Sequence, residues 1–261
     1  MAIATYDNFV LENKMTDLVN TNLDVHALFV TDTSLENVDG LQKVINKYTY
    51  QGAVEKLAKG AKNSVRGGNT MTSTTYKVER WQQAFDYYDE DVMKDSYYLD
   101  TLTTGAATLM ANNIKEQYFG ELAKISNTFE YDTFNYDAVV DALAAIGREV
   151  ESDNVIVMGL DAKAAIRKDA DYKSAHMGEI LFNGQIGSIC GVPIVCSKLV
   201  PANTVYITSR DAVRFFVKKN GEIEQDRNIE TKQNTVCYTR YGVMALVDET
   251  KSVKMTKKSS V

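Results

Sequence analysis

The stretch from Gly184 to Asn228, GQIGSICGVPIVCSKLVPANTVYITSRDAVRFFVKKNGEIEQDRN, restricts this chain more than any other, because short apolar runs alternate in it with strong turn residues. Gly187 and Gly191 punctuate a run whose apolar side chains are Ile186, Ile189, Val192, Ile194 and Val195. Pro193 breaks any helix there and removes one backbone donor. A strand from Ile189 to Ser197 with an irregular start is expected. Pro201-Ala202-Asn203 is a turn, Thr204 to Thr208 is β-branched and aromatic, and Asp211 to Lys218 is a further short apolar run. Asn220-Gly221 then predicts a tight reversal. The stretch is a β-rich core with no catalytic signature inside it.

The segments before it alternate helical and extended patterns. Leu11, Met15, Leu18, Val19 and Leu23 fall at helical spacing, followed by an extended run, HALFVT, and a polar turn. Such an arm has a small apolar face and buries little alone, which favours docking on the body of its own chain or on a neighbour. Lys43 to Tyr50 and Thr74 to Arg80 both alternate as strands. Between them Gly52 to Ser73 is polar and Gly-rich, longer than the ~12 to 15 residues a compact domain keeps without a function. The pair predicts an extended hairpin with a long tip, and a mobile surface loop is the plain alternative.

Asp89-Glu90-Asp91 supplies the negative charge that a helix N-terminus favours. From about Ser96 to about Lys124, Leu99, Leu102, Ala106, Leu109, Ile114, Tyr118 and Leu122 keep helical spacing, a helix of roughly 40 to 45 Å at ~1.5 Å per residue. Asn135 is placed to cap a second helix carrying Val139, Val140, Leu143, Ile146 and Val150 on one face. A buried-type strand over Val155 to Met158 and a short helix over Asp161 to Lys168 precede the β-rich block. After Asn228, strands are expected over Thr235 to Tyr241 and Val243 to Val247, then a turn at Asp248-Glu249. The tail from Lys251 to Val261 is basic and Ser-rich, the pattern of a solvated terminus.

With 261 residues of which 44% are hydrophobic, the chain can bury a substantial core as one large domain or two closely joined ones. The two prolines both lie in the β-rich block, so no Pro-rich linker marks a boundary, and there is no internal repeat. A net charge of −6 argues against a dedicated nucleic-acid binder, whose phosphate contacts call for a basic surface. No stretch has the ~18 to 20 apolar residues of a membrane span, and the N-terminus meets Asp7 and Glu12 where a signal peptide is apolar.

Candidate chemistry is sparse. Cys190, Cys196 and Cys237 form no CxxC pair, and His26 and His176 stand at no suggestive spacing from any of them. A cysteine within a β-branched strand is more often a small buried hydrophobe than a nucleophile. Gly184 and Gly187 lack the lysine and the strand-loop-helix context of a phosphate loop. Asp86, Asp89, Glu90 and Asp91 lack calcium-loop spacing and read as a solvated acidic helix start, with weak capture of a cation as the lesser alternative. Glu222, Glu224 and Asp226 alternate along one strand face ahead of Arg227, either an exposed face or a charged contact between subunits. No catalytic, cofactor-binding or metal-ligating set is predicted.

The serial order GxIGxIxGVPI, VPANT, an aromatic strand, AVxFF, an acidic pair, DRNI and a closing DETKSVKM resembles the distal half of tailed-bacteriophage major capsid proteins, a fold shared with encapsulin shells. The earlier segments follow the same family's order. The resemblance implies an α+β fold with an N-terminal arm over 1–42, an extended E-loop hairpin over 43–88, a P-domain with its long spine helix over 89–134, an A-domain over 135–234, and P-domain return strands with a tail over 235–261. It implies a structural, non-enzymatic protein that self-assembles as hexamers and pentamers into the shell of a virion put together in a bacterial cytoplasm. Portal, scaffold or decoration proteins are the implied partners, with packaged DNA touched weakly at the inner surface. An encapsulin-type compartment shell is the alternative, and a cysteine-dependent α/β enzyme is the alternative from another class. Some family members cross-link their shells through an E-loop lysine. Lys56, Lys59 and Lys62 lie in this loop, but no partner asparagine and acid match, so that chemistry is not implied.

Overall fold

A computed structural model describes residues 8–24, 28–147, 153–170, 172 and 187–258. The N-terminal helix α1 (Asn8–Asp24) buries Leu11, Met15, Val19 and Leu23, the stripe expected from their spacing. It lies on its own chain, against the long helix and the longest strand, so the arm finds its partner within the subunit. A short strand β1 (Val30–Asp32) leads to a two-stranded hairpin of β2 (Gln42–Gln51) and β3 (Gly68–Lys77). Next come β4 (Glu79–Tyr88), a short helix α2 (Asp89–Lys94) and the long helix α3 (Tyr98–Leu122). With 25 residues, α3 spans roughly 37 Å. Thr101, Thr103, Thr104 and Thr108 each return a hydroxyl to the carbonyl four residues back, which satisfies these polar side chains without an outside partner. Met110 and Ala111 line its buried face, whereas Leu109, expected there, is exposed.

The second half comprises β5 (Thr128–Tyr131), α4 (Tyr136–Ile146), β6 (Asn154–Met158), α5 (Leu160–Lys168), β7 (Ser188–Ile189), β8 (Val192–Cys196), β9 (Thr204–Ser209), β10 (Val213–Asn228), β11 (Gln233–Leu246) and β12 (Ser252–Lys257). Asn135 caps α4 as expected, its Oδ1 accepting from the Ala138 N–H at 3.0 Å. The irregular start of the β8 run is a two-residue turn in which Cys190 and Gly191 both take positive φ, 52° and 79°.

The strands form a four-stranded sheet in the order β1-β10-β11-β4 and a six-stranded sheet in the order β5-β12-β9-β6-β8-β7. α1 and α3 cover one face of the first sheet, where Trp81, Phe215, Val217, Ile223, Val236 and Tyr238 meet Ala107, Ile114 and Tyr118. The same core continues under β6 and β9 through Val155, Val157 and Tyr206, the Tyr206 ring stacking on Phe119 at 6.5 Å. α4 and α5 close the opposite face of the six-stranded sheet over Ile156, Met158, Val205 and Ile207. Every residue of β6 and β9 is buried, as a strand sandwiched between two helical layers requires.

Four expectations are corrected. Asn220-Gly221 is no reversal: β10 runs on to Asn228 through a register shift between Val217 and Glu222, and the chain turns at Ile229–Lys232. α1 packs against the strand at this bulge. A Cβ at Gly221 would stand 2.7 Å from Thr16 Oγ1, so the bulged strand needs glycine to admit the helix. The two strands expected after Asn228 are one, β11, continuous through Gly242. The polar tip of the hairpin is shorter than Gly52 to Ser73, because Gly68 to Ser73 pairs with β2 and leaves 52–67 as the loop. The first part of the tail is not solvated: β12 sits between β5 and β9, with Val253 and Met255 fully buried, and exposure begins only at Lys257 and Lys258. His26, His176, Gly184 and Val150 lie outside the described residues.

Candidate assembly surface

The three thiols are dispersed. Cys190 is exposed on its turn, 3.3 Å from the Tyr136 hydroxyl, and this contact raises the tyrosine pKa above its ordinary value. Cys196 is half-buried at the end of β8, where burial pushes its thiol pKa up despite the charges of Lys163 and Arg167. A nucleophilic cysteine needs the opposite shift. Cys237 lies on the open face of the four-stranded sheet beside Gln82 and Thr239. Among the described residues no group of three His, Cys, Asp or Glu converges to hold a metal ion.

The acidic residues fall on two adjoining surfaces. On the face of the four-stranded sheet away from α1 and α3, Glu222, Glu224 and Asp226 of β10 stand opposite Thr239, Cys237 and Thr235 of β11, which in turn face Gln82, Ala84 and Asp86 of β4. This stretch of the face is polar, and no helix of the described residues covers it, whereas further along the same face Val243 and Ala245 are apolar. Arg227 pairs within its own chain, its Nη2 2.6 Å from Asp89 Oδ2, while Asn234 donates to Asp89 Oδ1 at 2.8 Å. Asp86 accepts from Thr235 Oγ1 at 2.7 Å. Glu90 and Asp91, in the first turn of α2, make no ion pair among the described residues.

Among the described residues the hairpin is the most exposed part. Ile45 and Tyr76 pack at its base against Leu35, Phe216, Val243 and Ala245, and Lys43 sits 4.5 Å over the Phe216 ring. Past the base, Lys47 reaches Glu249, Nζ to Oε1 3.5 Å, and beyond Lys47 no hydrogen bond or ion pair ties the hairpin to the body among the described residues. The antiparallel register puts Val44, Tyr48, Tyr50 and Met71 on the opposite, outward face, all exposed. The Tyr50 ring folds over the neck at Gly52 and Gly67, where a methyl on Gly67 would collide with it. Within the loop, Glu55 accepts from the Ser64 N–H at 3.0 Å and the Ser64 hydroxyl at 2.7 Å, bonds that hold its pKa below the usual carboxylate value. Reading the sequence for catalytic residues passes over these aromatic and aliphatic side chains. Their signal is tyrosine and methionine at alternate positions of an otherwise polar strand pair.

Comparison with known proteins accords with this geometry. The phage capsid protein family matches residues 71–255. The major capsid protein of Staphylococcus phage phiMR11 is 22% identical over 269 residues, covering 98% of this chain and 97% of that protein. The capsid of the cyanophage P-SCSP1u superposes with a TM-score of 0.70 at 10% identity over 90% of this chain and 88% of its own. A virus-like particle from Pyrococcus furiosus superposes with a TM-score of 0.66 at 12% identity over 95% and 98%. A family match across most of the sequence, on a two-sheet body with a projecting hairpin, places this chain in the phage capsid protein family.

Proposed function

We propose that this chain tiles the icosahedral head of a tailed phage or prophage as its major capsid protein, in hexamers and pentamers and without catalysis. The observation that carries the assembly is the hairpin, whose outward apolar face is exposed and whose loop cations make no ion pair among the described residues. In this reading 1–42 is the arm, 43–88 the E-loop region reaching a neighbour, 89–134 and 235–261 the P-domain, and 135–234 the A-domain. Portal, scaffold or decoration proteins complete the particle, and DNA meets an acidic subunit weakly at the inner surface. The protein resides in the virion after assembly in the bacterial cytoplasm. Negative-stain microscopy and sedimentation of the purified protein test this: rings or shells are expected at high concentration, and a monomer at every salt and protein concentration, with or without scaffold, overturns it.

A compartment shell is the second reading, favoured by the likeness to the Pyrococcus furiosus particle over nearly the whole of both chains. A cargo enzyme encoded nearby would mark the compartment, and a portal and terminase would mark the phage.

A further inference from the structure

The hairpin loop holds four cations, Lys56, Lys59, Lys62 and Arg66, against one carboxylate, Glu55, and that carboxylate is engaged by Ser64. None of the four makes an ion pair among the described residues. Beside them Val54 stands wholly in solvent, 101% exposed, and Leu57, between Lys56 and Lys59, is 44% exposed. The α2 segment presents the inverse pattern. Glu90, Asp91 and Asp95 accompany one cation, Lys94, and the apolar side chains among them, Met93 and Tyr97, are 70% and 74% exposed.

Among the described residues no ion pair joins these two patches within one subunit. The base of the hairpin packs on Val243 and Ala245, near the end of β11, whereas α2 is tied to its start, where Asp89 bonds Asn234 and Lys232. The nine residue steps along β11 from Asn234 to Val243 set the base of the hairpin roughly 30 Å from α2. Aliphatic side chains interleaved with the cations suit a protein partner and gain nothing from a phosphate backbone.

We propose that the hairpin loop of one subunit docks on the α2 segment of a second copy, with Lys56, Lys59 and Lys62 facing Glu90, Asp91 and Asp95, and Val54 and Leu57 covering Met93 and Tyr97. This rests on the reading that the chain assembles, and it adds the chemistry and the address of the contact. Because donor and acceptor are different patches, the contact is heterologous: repeated, it closes a ring wherever the rotation allows. Opposite charge sets the register and speeds encounter, and the apolar side chains supply the burial.

Two charge-reversed chains test it: Lys56→Glu/Lys59→Glu/Lys62→Glu, and Glu90→Lys/Asp91→Lys/Asp95→Asn, the last keeping the bond that Asp95 Oδ1 accepts from the Tyr97 N–H. Each is expected to keep its circular dichroism and melting while its assembled fraction in sedimentation falls roughly tenfold or more. Mixed in equal amounts they are expected to co-assemble. The mixture must alternate, so it closes six-membered rings and not five-membered ones. Either variant assembling alone like the parent overturns the proposal, as does a mixture that stays monomeric while the parent assembles. A lysine-reversed chain that assembles normally but loses affinity for a short DNA duplex overturns it in favour of nucleic acid. A parent that never assembles fails the capsid reading itself. Independently of how the variants fold, carbodiimide cross-linking of parent particles is expected to join the loop lysines to Glu90, Asp91 or Asp95 of another copy, and links confined to other carboxylates overturn the address.

Discussion

Arg240 is a guanidinium set almost wholly inside the protein, 2% exposed, with no ion pair among the described residues. Its Nη2 donates to Asn220 Oδ1 at 2.8 Å and to Asn20 Oδ1 at 3.4 Å, and its plane lies 5.2 Å from the Phe215 ring, while Nε and Nη1 have no partner. Burial lowers its pKa, against the opposing influence of Tyr238 and Glu36. A buried charge so thinly compensated is a net cost, so Arg240→Met is expected to stabilise the subunit by about 1 to 3 kcal/mol in urea titration. A lower midpoint would show that the two asparagine bonds outweigh desolvation. Asp248 behaves oppositely. Burial pushes its pKa up, but bonds from the Thr250 N–H at 3.1 Å and hydroxyl at 2.6 Å, with Lys251 nearby, hold it below the usual value. A depressed folded pKa contributes stability that is complete above the unfolded value, near pH 4, and is lost as pH falls through the folded one. Asp248→Ala should therefore cost about 1 kcal/mol at pH 7 and progressively less below about pH 4. An equal cost at pH 7 and pH 3 counts against this account.

Elements with one strong period are the ones legible in sequence. The stripes of α1, α3 and α4 stand out because an apolar residue returns every three or four positions, and Asn135 announces the start of α4 by its own chemistry. β12 defeats the same approach. Val253 and Met255 are its entire apolar content, separated and flanked by Lys, Thr and Ser, so a strand buried through two side chains looks like a polar tail. The bulge in β10 is hidden for another reason: Asn-Gly favours a reversal locally, and the approach of Thr16, more than 200 residues earlier in the chain, together with the Tyr238 ring makes the glycine a site of close passage. The burial makes Met255→Ala costly, about 2 to 5 kcal/mol, whereas the exposed Lys257→Ala stays within about 0.5 kcal/mol. Thermal melts of the two variants check this, and equal melts would return β12 to the solvent.

On the scale of the molecule, the body and the hairpin are separable. The outward surface of the assembly was not legible because exposure depends on register: the pairing of Tyr48 with Met71 decides that both face away from Ile45. Replacing residues 52–67 by a two-residue turn joining Gln51 to Gly68 removes no buried side chain. The shortened loop should alter subunit stability by about 1 kcal/mol or less. Circular dichroism and melting of the free subunit should be retained, while closed particles should be absent in the microscope; normal particles would deny the hairpin its role between subunits. The position of β12 has a further consequence during synthesis. β5 pairs with β12 and has no other strand neighbour, and one edge of β9 is open until β12 arrives. Some forty residues separate β9 from β12, so at ~5 to 20 residues per second a nascent subunit exposes that edge for roughly 2 to 9 seconds. Until β12 emerges from the ribosome the six-stranded sheet is incomplete, and a chain cut short before Ser252 has an open strand edge that invites pairing with any other chain in reach.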